Sequence, residues 1–296
     1  MDIAQLVRTT ILFSIVLLVF GLGLRAMPGD AISLFRAPAL LLRSLLAMNV
    51  VVPLLAVVLA AMLDLHPAVK IALVTMAVSP VPPFLPGKQL KLVVREAYVY
   101  GLLVATALLA ALLVPLTLAI LDALFGRNMR IEPAEVARIV ALTVLIPLAL
   151  GIAVRYWSPG RAERLSSLAS GLGTVLLVVA GVPLLVLVWP AAAALIGDGT
   201  VLAIILLTVL ALAVGHFLGG PKGDDRTVLA LASATRHPAV ALAIAHASFP
   251  DEKLAPAAVL LYLIVSTVAS APYTAWRKRL HARSPLFVSP ERGNGT

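Results

Sequence analysis

Two proline-containing interruptions constrain the fold of this chain more than any other feature. The first, residues 79–88, reads Ser-Pro-Val-Pro-Pro-Phe-Leu-Pro-Gly-Lys, and the second, residues 233–238, reads Ser-Ala-Thr-Arg-His-Pro. Both lie within long apolar stretches, where proline removes a backbone donor and cannot continue a helix. In lipid, irregular backbone survives only where protein or a cavity surrounds it. Two broken spans in one apolar chain therefore indicate the binding site of a transporter.

Composition places the chain in a membrane. Hydrophobic residues make up 61% of the sequence, the mean hydropathy is +1.05 and only 12% of residues are charged, about half the share of a soluble domain. The absence of cysteine excludes disulfides and thiolate metal sites. No nucleotide-binding motif or metal-ligand spacing is present, so we predict no cofactor and no metal site. The formal net charge is +9, and the basic residues lie in short loops and at the C-terminal end. This distribution is more typical of a membrane protein than of a protein that binds nucleic acid.

A membrane-length window predicts an all-α integral membrane protein of about nine transmembrane helices. Roughly, these spans cover 8–25, 39–63, 67–86, 97–124, 134–156, 166–189, 200–219, 227–248 and 255–277. The first span has no small-residue cleavage pattern, so we expect it to be retained. Because the connections are short, we expect one transmembrane transporter domain, residues 1–276, followed by a basic, disordered tail, residues 277–296.

The distribution of basic residues predicts the orientation. With nine spans, most of the 23 Lys and Arg residues fall on one side of the membrane. Cytoplasmic loops carry this excess, so we expect the N-terminus outside and the C-terminus in the cytoplasm of a multi-pass cell-membrane protein. The two broken spans are the third and the eighth, an odd number apart. They therefore have opposite orientations, as an inverted-topology repeat requires.

The chain resembles the bile acid:sodium symporters over nearly its whole length. The similar segments are Phe20–Leu24 with the Pro/Asp turn after it, Arg36-Ala37-Pro38, Asn49–Ala56, Ile71–Pro80 and Leu242–Phe249. The resemblance implies a panel and a core, with two discontinuous helices that cross near the membrane midplane and substrate and sodium bound beside them. The unwound centres would be Pro80–Pro86 and Ala234–Pro238. The residues that break the crossing helices would be Pro80, Pro82, Pro83, Pro86, Gly87 and Pro238.

The chain departs from that family at the residues expected to bind sodium. Where the family has Pro-Gly-Gly-Thr-Ala-Ser-Asn, this chain has the apolar run Pro80–Pro86. Where the family has Glu-Thr/Val-Gly-Met-Gln-Asn, it has Ala232 in place of the glutamate and Arg236 in place of the glutamine. Hard cations need oxygen ligands, so we expect transport that is not coupled to sodium. The alternative is a sodium-dependent symporter with an altered ion site.

Arg236 is the strongest candidate for binding a substrate. A charge in the middle of a span is costly and marks a functional site by default, and no acid lies at the centre of any span. We therefore expect Arg236 to have no acidic partner within the spans and to bind a small organic anion, a carboxylate or a sulfonate. A broken helix adds its positive N-terminal end. The alternative is that Arg236 has no binding role and snorkels to the membrane interface from the end of a span.

His237 is the candidate for carrying a coupled proton, because histidine changes charge near neutral pH. It is equally consistent with a partner for backbone freed by Pro238. The other residues predicted to line the substrate cavity are Asn49, Ser79, Ser233 and Thr235.

These observations favour a secondary active transporter of a small organic anion in the lipid bilayer, not an enzyme. No catalytic residues are predicted: Ser79 or Ser233 could pair with His237, but no acid or oxyanion arrangement accompanies them. A channel would need a polar face along several spans. A non-transport membrane protein such as a sensor would need a signalling domain. The sequence provides neither feature.

Overall fold

The computed structural model describes residues 3–92, 96–125 and 131–282, and within them the fold is all-α. Several helices have a proline in their first turn, where its missing N–H is not needed. The fifteen helices are α1 Ile3–Gly23, α2 Pro28–Ala31, α3 Pro38–Leu45, α4 Val52–Met62, α5 Pro67–Val78, α6 Leu85–Gln89, α7 Glu96–Phe125, α8 Pro133–Val140, α9 Ile146–Trp157, α10 Pro159–Ala194, α11 Thr200–Leu218, α12 Gly223–Ala234, α13 Pro238–Ser248, α14 Ala255–Ala269 and α15 Ala271–Ala282.

Eight apolar segments in the described residues are long enough to cross a membrane. They coincide with eight of the predicted spans, and the third predicted span is divided between the 12-residue α5 and the short α6. The prediction of an all-α integral membrane protein is therefore confirmed. Helix α15 extends into the predicted tail as far as Ala282, and residues 283–296 lie outside the described part of the chain.

The eighth predicted span lies inside the bundle, while the longest helix lies at its surface. In the apolar 18-residue stretch of α12–α13, 72% is buried inside the protein, compared with 11% in the corresponding stretch of α10. Helix α12 packs on α11, α13 packs on α5, and α10 packs on α1 and α9. The polar break between α12 and α13 is therefore shielded from lipid by protein, as interrupted backbone in a membrane requires.

Small residues allow α1 and α9 to approach closely. A Cβ added to Gly151 would overlap the Phe20 carbonyl oxygen and would lie 2.8 Å from the Gly23 Cα. Across the same contact, Nη1 of Arg155 donates to the Leu24 carbonyl at 3.0 Å. Close packing of backbones through glycine is a common way to hold membrane helices together.

We expect Gly151→Ala to lower the melting temperature of the purified protein, because α1 and α9 must separate to admit the methyl group. Overpacking of this kind costs about 1–3 kcal/mol. Gly171→Ala is the matched control, because a Cβ there meets nothing within 4 Å, and it should be neutral or slightly stabilising. Equal melting temperatures for the two variants would contradict the close contact.

Candidate substrate-binding site

The structure brings the two predicted breaks into direct contact. The first comprises residues 79–84, between α5 and α6, and the second comprises residues 235–237, between α12 and α13. The backbone N–H of His237 donates to the Pro80 carbonyl at 2.9 Å. One of the donors near the second break is therefore satisfied by the first break, which gives the irregular backbone a partner inside the protein.

Both breaks are shorter than the sequence suggested. Pro86 and Gly87 belong to α6, which begins at Leu85, and Pro238 is the first residue of α13. The reason is that proline is tolerated in the first turn of a helix, where it has no donor to lose. Pro80, Pro82 and Pro83 lie in the non-helical segment.

Arg236 is fully buried, with 0% of its side chain exposed, and its guanidinium is bound by three backbone carbonyls. Nε donates to the Ser233 carbonyl at 3.1 Å, Nη1 donates to the Ser79 carbonyl at 3.1 Å and Nη2 donates to the Met48 carbonyl at 2.7 Å. All three acceptors are uncharged. The guanidinium therefore has hydrogen-bond partners in the protein, although none of these three is an acid.

Helix breaks explain why these carbonyls are available. Ser79 terminates α5 and Ser233 lies in the last turn of α12, and the last carbonyls of a helix have no intrahelical donor. These ends also carry the negative end of the helix dipole, which stabilises a cation. Arg236 thus joins the ends of two helices that the breaks create.

The third carbonyl is freed by a π-helical turn, residues Leu46–Val51, between α3 and α4. The N–H of Val52 donates to the Ala47 carbonyl, five residues back, instead of to the Met48 carbonyl. The next residue, Pro53, has no N–H. The Met48 carbonyl is therefore left without a helical donor, and Arg236 supplies one. Single π turns in membrane helices often mark functional sites.

Among the described residues, the His237 side chain makes one hydrogen bond and leaves one ring nitrogen without a partner. Its Nε2 lies 3.4 Å from the hydroxyl oxygen of Thr143, in a second π turn, Ala141–Leu145, between α8 and α9. Its Nδ1 is buried and has no hydrogen-bond partner among the described residues. The imidazole itself is 2% exposed.

The remaining predicted site residues have different degrees of availability. The Ser79 hydroxyl is buried and donates to the Thr75 carbonyl at 2.7 Å, so its proton is already used. The Ser233 hydroxyl is buried and has no partner within the described part of the chain. Asn49, in the first π turn, and Thr235, in the second break, are both half-buried. Ser233, Thr235 and His237 lie together at the second break, with Asn49 next to the Met48 carbonyl that contacts Arg236.

Sequence reasoning missed Thr143 and the role of Pro53. A signal exists in retrospect: Asn49 and Thr143 each lie four residues before a proline, Pro53 and Pro147, in an otherwise apolar span. A proline four residues on cannot donate to the polar residue's carbonyl. Both positions became π turns, and both turns contact the second break.

Comparison with known families agrees with this fold. Two interrupted membrane helices that meet around buried polar groups are a common feature of secondary transporters. The family model of the Sodium Bile acid symporter family matches residues 11–211, about two thirds of the chain, and the chain belongs to this family. The match ends before the second break, so it identifies the class of transporter without covering Arg236 and His237. No curated protein matches the chain.

Proposed function

We propose that this transporter moves a small organic anion across the cell membrane without coupling to sodium. The observation that carries the proposal is the set of three backbone carbonyls around the guanidinium of Arg236. Convergent carbonyl oxygens at helix ends are the ligands of a bound cation. Here, the cation is covalently attached to the chain.

A tethered cation changes the energetics of transport. A coupled ion drives transport because it enters its site from one side of the membrane and leaves on the other. The guanidinium of Arg236 remains protonated and cannot leave. The three carbonyls therefore keep their cation throughout the transport cycle. The free energy of a sodium gradient therefore has no site at this point through which to act.

The same charge favours an anion as substrate. None of the three acceptors is a carboxylate, so the carbonyl dipoles satisfy the guanidinium without cancelling its unit charge. In a medium of low dielectric constant, that charge attracts an anion beyond hydrogen-bonding distance. A proton is the coupling ion that we propose, carried in the complex of the anion with His237.

The lysine and arginine distribution supports an N-terminus outside and a C-terminus in the cytoplasm. The enzyme alternative gains no support from the site. The hydroxyl of Ser79 is committed to the Thr75 carbonyl, and His237 contacts a threonine instead of an acid that would orient it as a base.

Sodium replacement tests the proposal. The purified protein in liposomes should take up labelled organic anions at the same rate when external Na⁺ is replaced by choline, at fixed pH and membrane potential. Liposomes without the protein give the background rate. Uptake that stops in choline medium would show that a sodium site exists elsewhere and would end the proposal.

A further inference from the structure

The Thr143 hydroxyl is the side-chain group that faces the His237 ring at Nε2, so it bears on which nitrogen carries the proton. The Thr143 hydroxyl lies 2.7 Å from the Ile139 carbonyl, to which it donates its single hydrogen. Its oxygen can then only accept from Nε2 of His237, 3.4 Å away. In the other tautomer, a lone pair on Nε2 would face a lone pair on the Thr143 oxygen. With the Thr143 hydrogen committed to Ile139, this contact favours the tautomer that carries the proton on Nε2 and leaves Nδ1 as a bare acceptor.

A bare acceptor at this position is unusual because nearly all buried polar atoms have partners. Nδ1 has none within the described residues, although the side chain is nine-tenths or more buried. The three observed hydrogen bonds of the neighbouring guanidinium all go to carbonyls, and none of them reaches Nδ1. The Ser233 hydroxyl, also buried and unpartnered, is a second such group at the same break.

We propose that Thr143 holds His237 so that Nδ1 accepts an O–H that the substrate donates, and that the substrate is a carboxylic acid bound together with its proton. This inference rests on the proposed transport of an organic anion and narrows it. A sulfonic acid is too strong an acid to retain its proton, so it has no O–H to donate. Thr143 is a positioning residue, and His237 contacts the substrate.

The surroundings of His237 are consistent with a shared proton. Arg236, on the same break, interacts electrostatically with Tyr262, on α14. Thr143 and the Pro80 carbonyl, which contact His237 directly, are uncharged. No carboxylate is among the observed partners of His237, so an acid group that shares a proton with Nδ1 would be supplied by the substrate.

The tautomer can be measured without knowing the substrate. We expect the ¹⁵N spectrum of protein labelled at histidine to show a protonated Nε2 and a bare Nδ1 for His237, assigned by the loss of these signals in His237→Gln. Thr143→Val should allow both tautomers, and Thr143→Ser should restore the wild-type pattern. A protonated Nδ1 in the wild type, or a pattern unaffected by Thr143→Val, would overturn the assignment.

Ligand-induced thermal stabilisation tests the substrate class. The probes are butyric, benzoic and cyclohexanecarboxylic acid, each with its primary amide, methyl ester and sulfonate analogue. An acid and its amide, which both present a donor, should stabilise the protein. The ester and the sulfonate should bind about tenfold more weakly or worse, because they leave Nδ1 unpaired. Acidic medium should strengthen binding of the acid but not of the amide.

Variants of the two residues complete the experiment. His237→Gln keeps an amide that can face Thr143 and removes Nδ1. Without ligand, this variant should have the melting temperature of the wild type, and the acid should no longer stabilise it. Thr143→Val should weaken binding of the acid, and Thr143→Ser should restore it. Equal stabilisation by ester, sulfonate and acid, or stabilisation by none of the acids, would overturn the proposal. Uptake of the sulfonate into liposomes would do so while leaving the proposed anion transport intact.

Discussion

Arg236→Ala should abolish transport and destabilise the protein. Three buried carbonyls would lose their donor, and each unsatisfied buried group costs about 1–3 kcal/mol. The two breaks would also lose the side chain that joins the end of α5 to that of α12. Uptake into liposomes and the melting temperature of the purified protein are the measurements. Wild-type transport by this variant would show that the guanidinium is dispensable.

Chemical rescue distinguishes a missing cation from general damage. Free guanidinium at low millimolar concentration should restore part of the stability and transport of Arg236→Ala, because it can occupy the same three carbonyls. Arg236→Lys keeps the charge but loses the planar fork that reaches three acceptors at once, so it should retain intermediate activity. Arg138→Ala, a change outside the interrupted spans, should show no response to guanidinium. Failure of guanidinium to act while Arg236→Lys is fully active would indicate that charge alone matters.

Pro53→Ala should reduce transport although residue 53 does not contact Arg236 through its side chain. The new N–H can donate to the carbonyl of Met48 or Asn49, so Arg236 would compete with the helix for one of its three acceptors. Loss of a hydrogen bond between a charged donor and a buried carbonyl costs about 1.5–3 kcal/mol. We expect a lower transport rate and a lower melting temperature than for the control below.

Pro183→Ala is that control. Pro183 lies inside α10, on the lipid-facing side of the bundle. Its replacement also adds an N–H to a membrane helix, but it removes no acceptor from Arg236. It should leave transport unchanged and stabilise the helix, since proline in a helix interior is unfavourable. If Pro53→Ala behaves like this control, the π turn does not present the Met48 carbonyl to Arg236.

The sequence predicted the helices well because length and hydropathy decide them locally. A run of apolar residues must satisfy its own backbone groups in lipid, so it becomes a helix wherever it occurs. Eight spans were therefore located within a few residues of their ends, apart from the longer α10. The breaks at Pro80 and between Thr235 and His237 could also be predicted from a short stretch of sequence, because prolines and a charge at the centre of a span mark them.

The partners of the polar residues could not be predicted in the same way. The contact between Arg236 and the Met48 carbonyl joins residues 188 positions apart, and that between His237 and Thr143 joins residues 94 positions apart. The sequence showed a buried arginine with no acid at the centre of any span, which pointed to an anionic partner. Backbone carbonyls, which every residue carries, have no signature in the sequence.

The sequence by itself thus determined the membrane class, the spans and the two interruptions, because each follows from the chemistry of a short stretch of chain in lipid. Only the tertiary structure decided what the interruptions do. By bringing the end of α5, the end of α12 and the first π turn together, it gave the charge of Arg236 three neutral acceptors. By setting Thr143 against Nε2 of His237, it left Nδ1 without a partner among the residues that the structure describes.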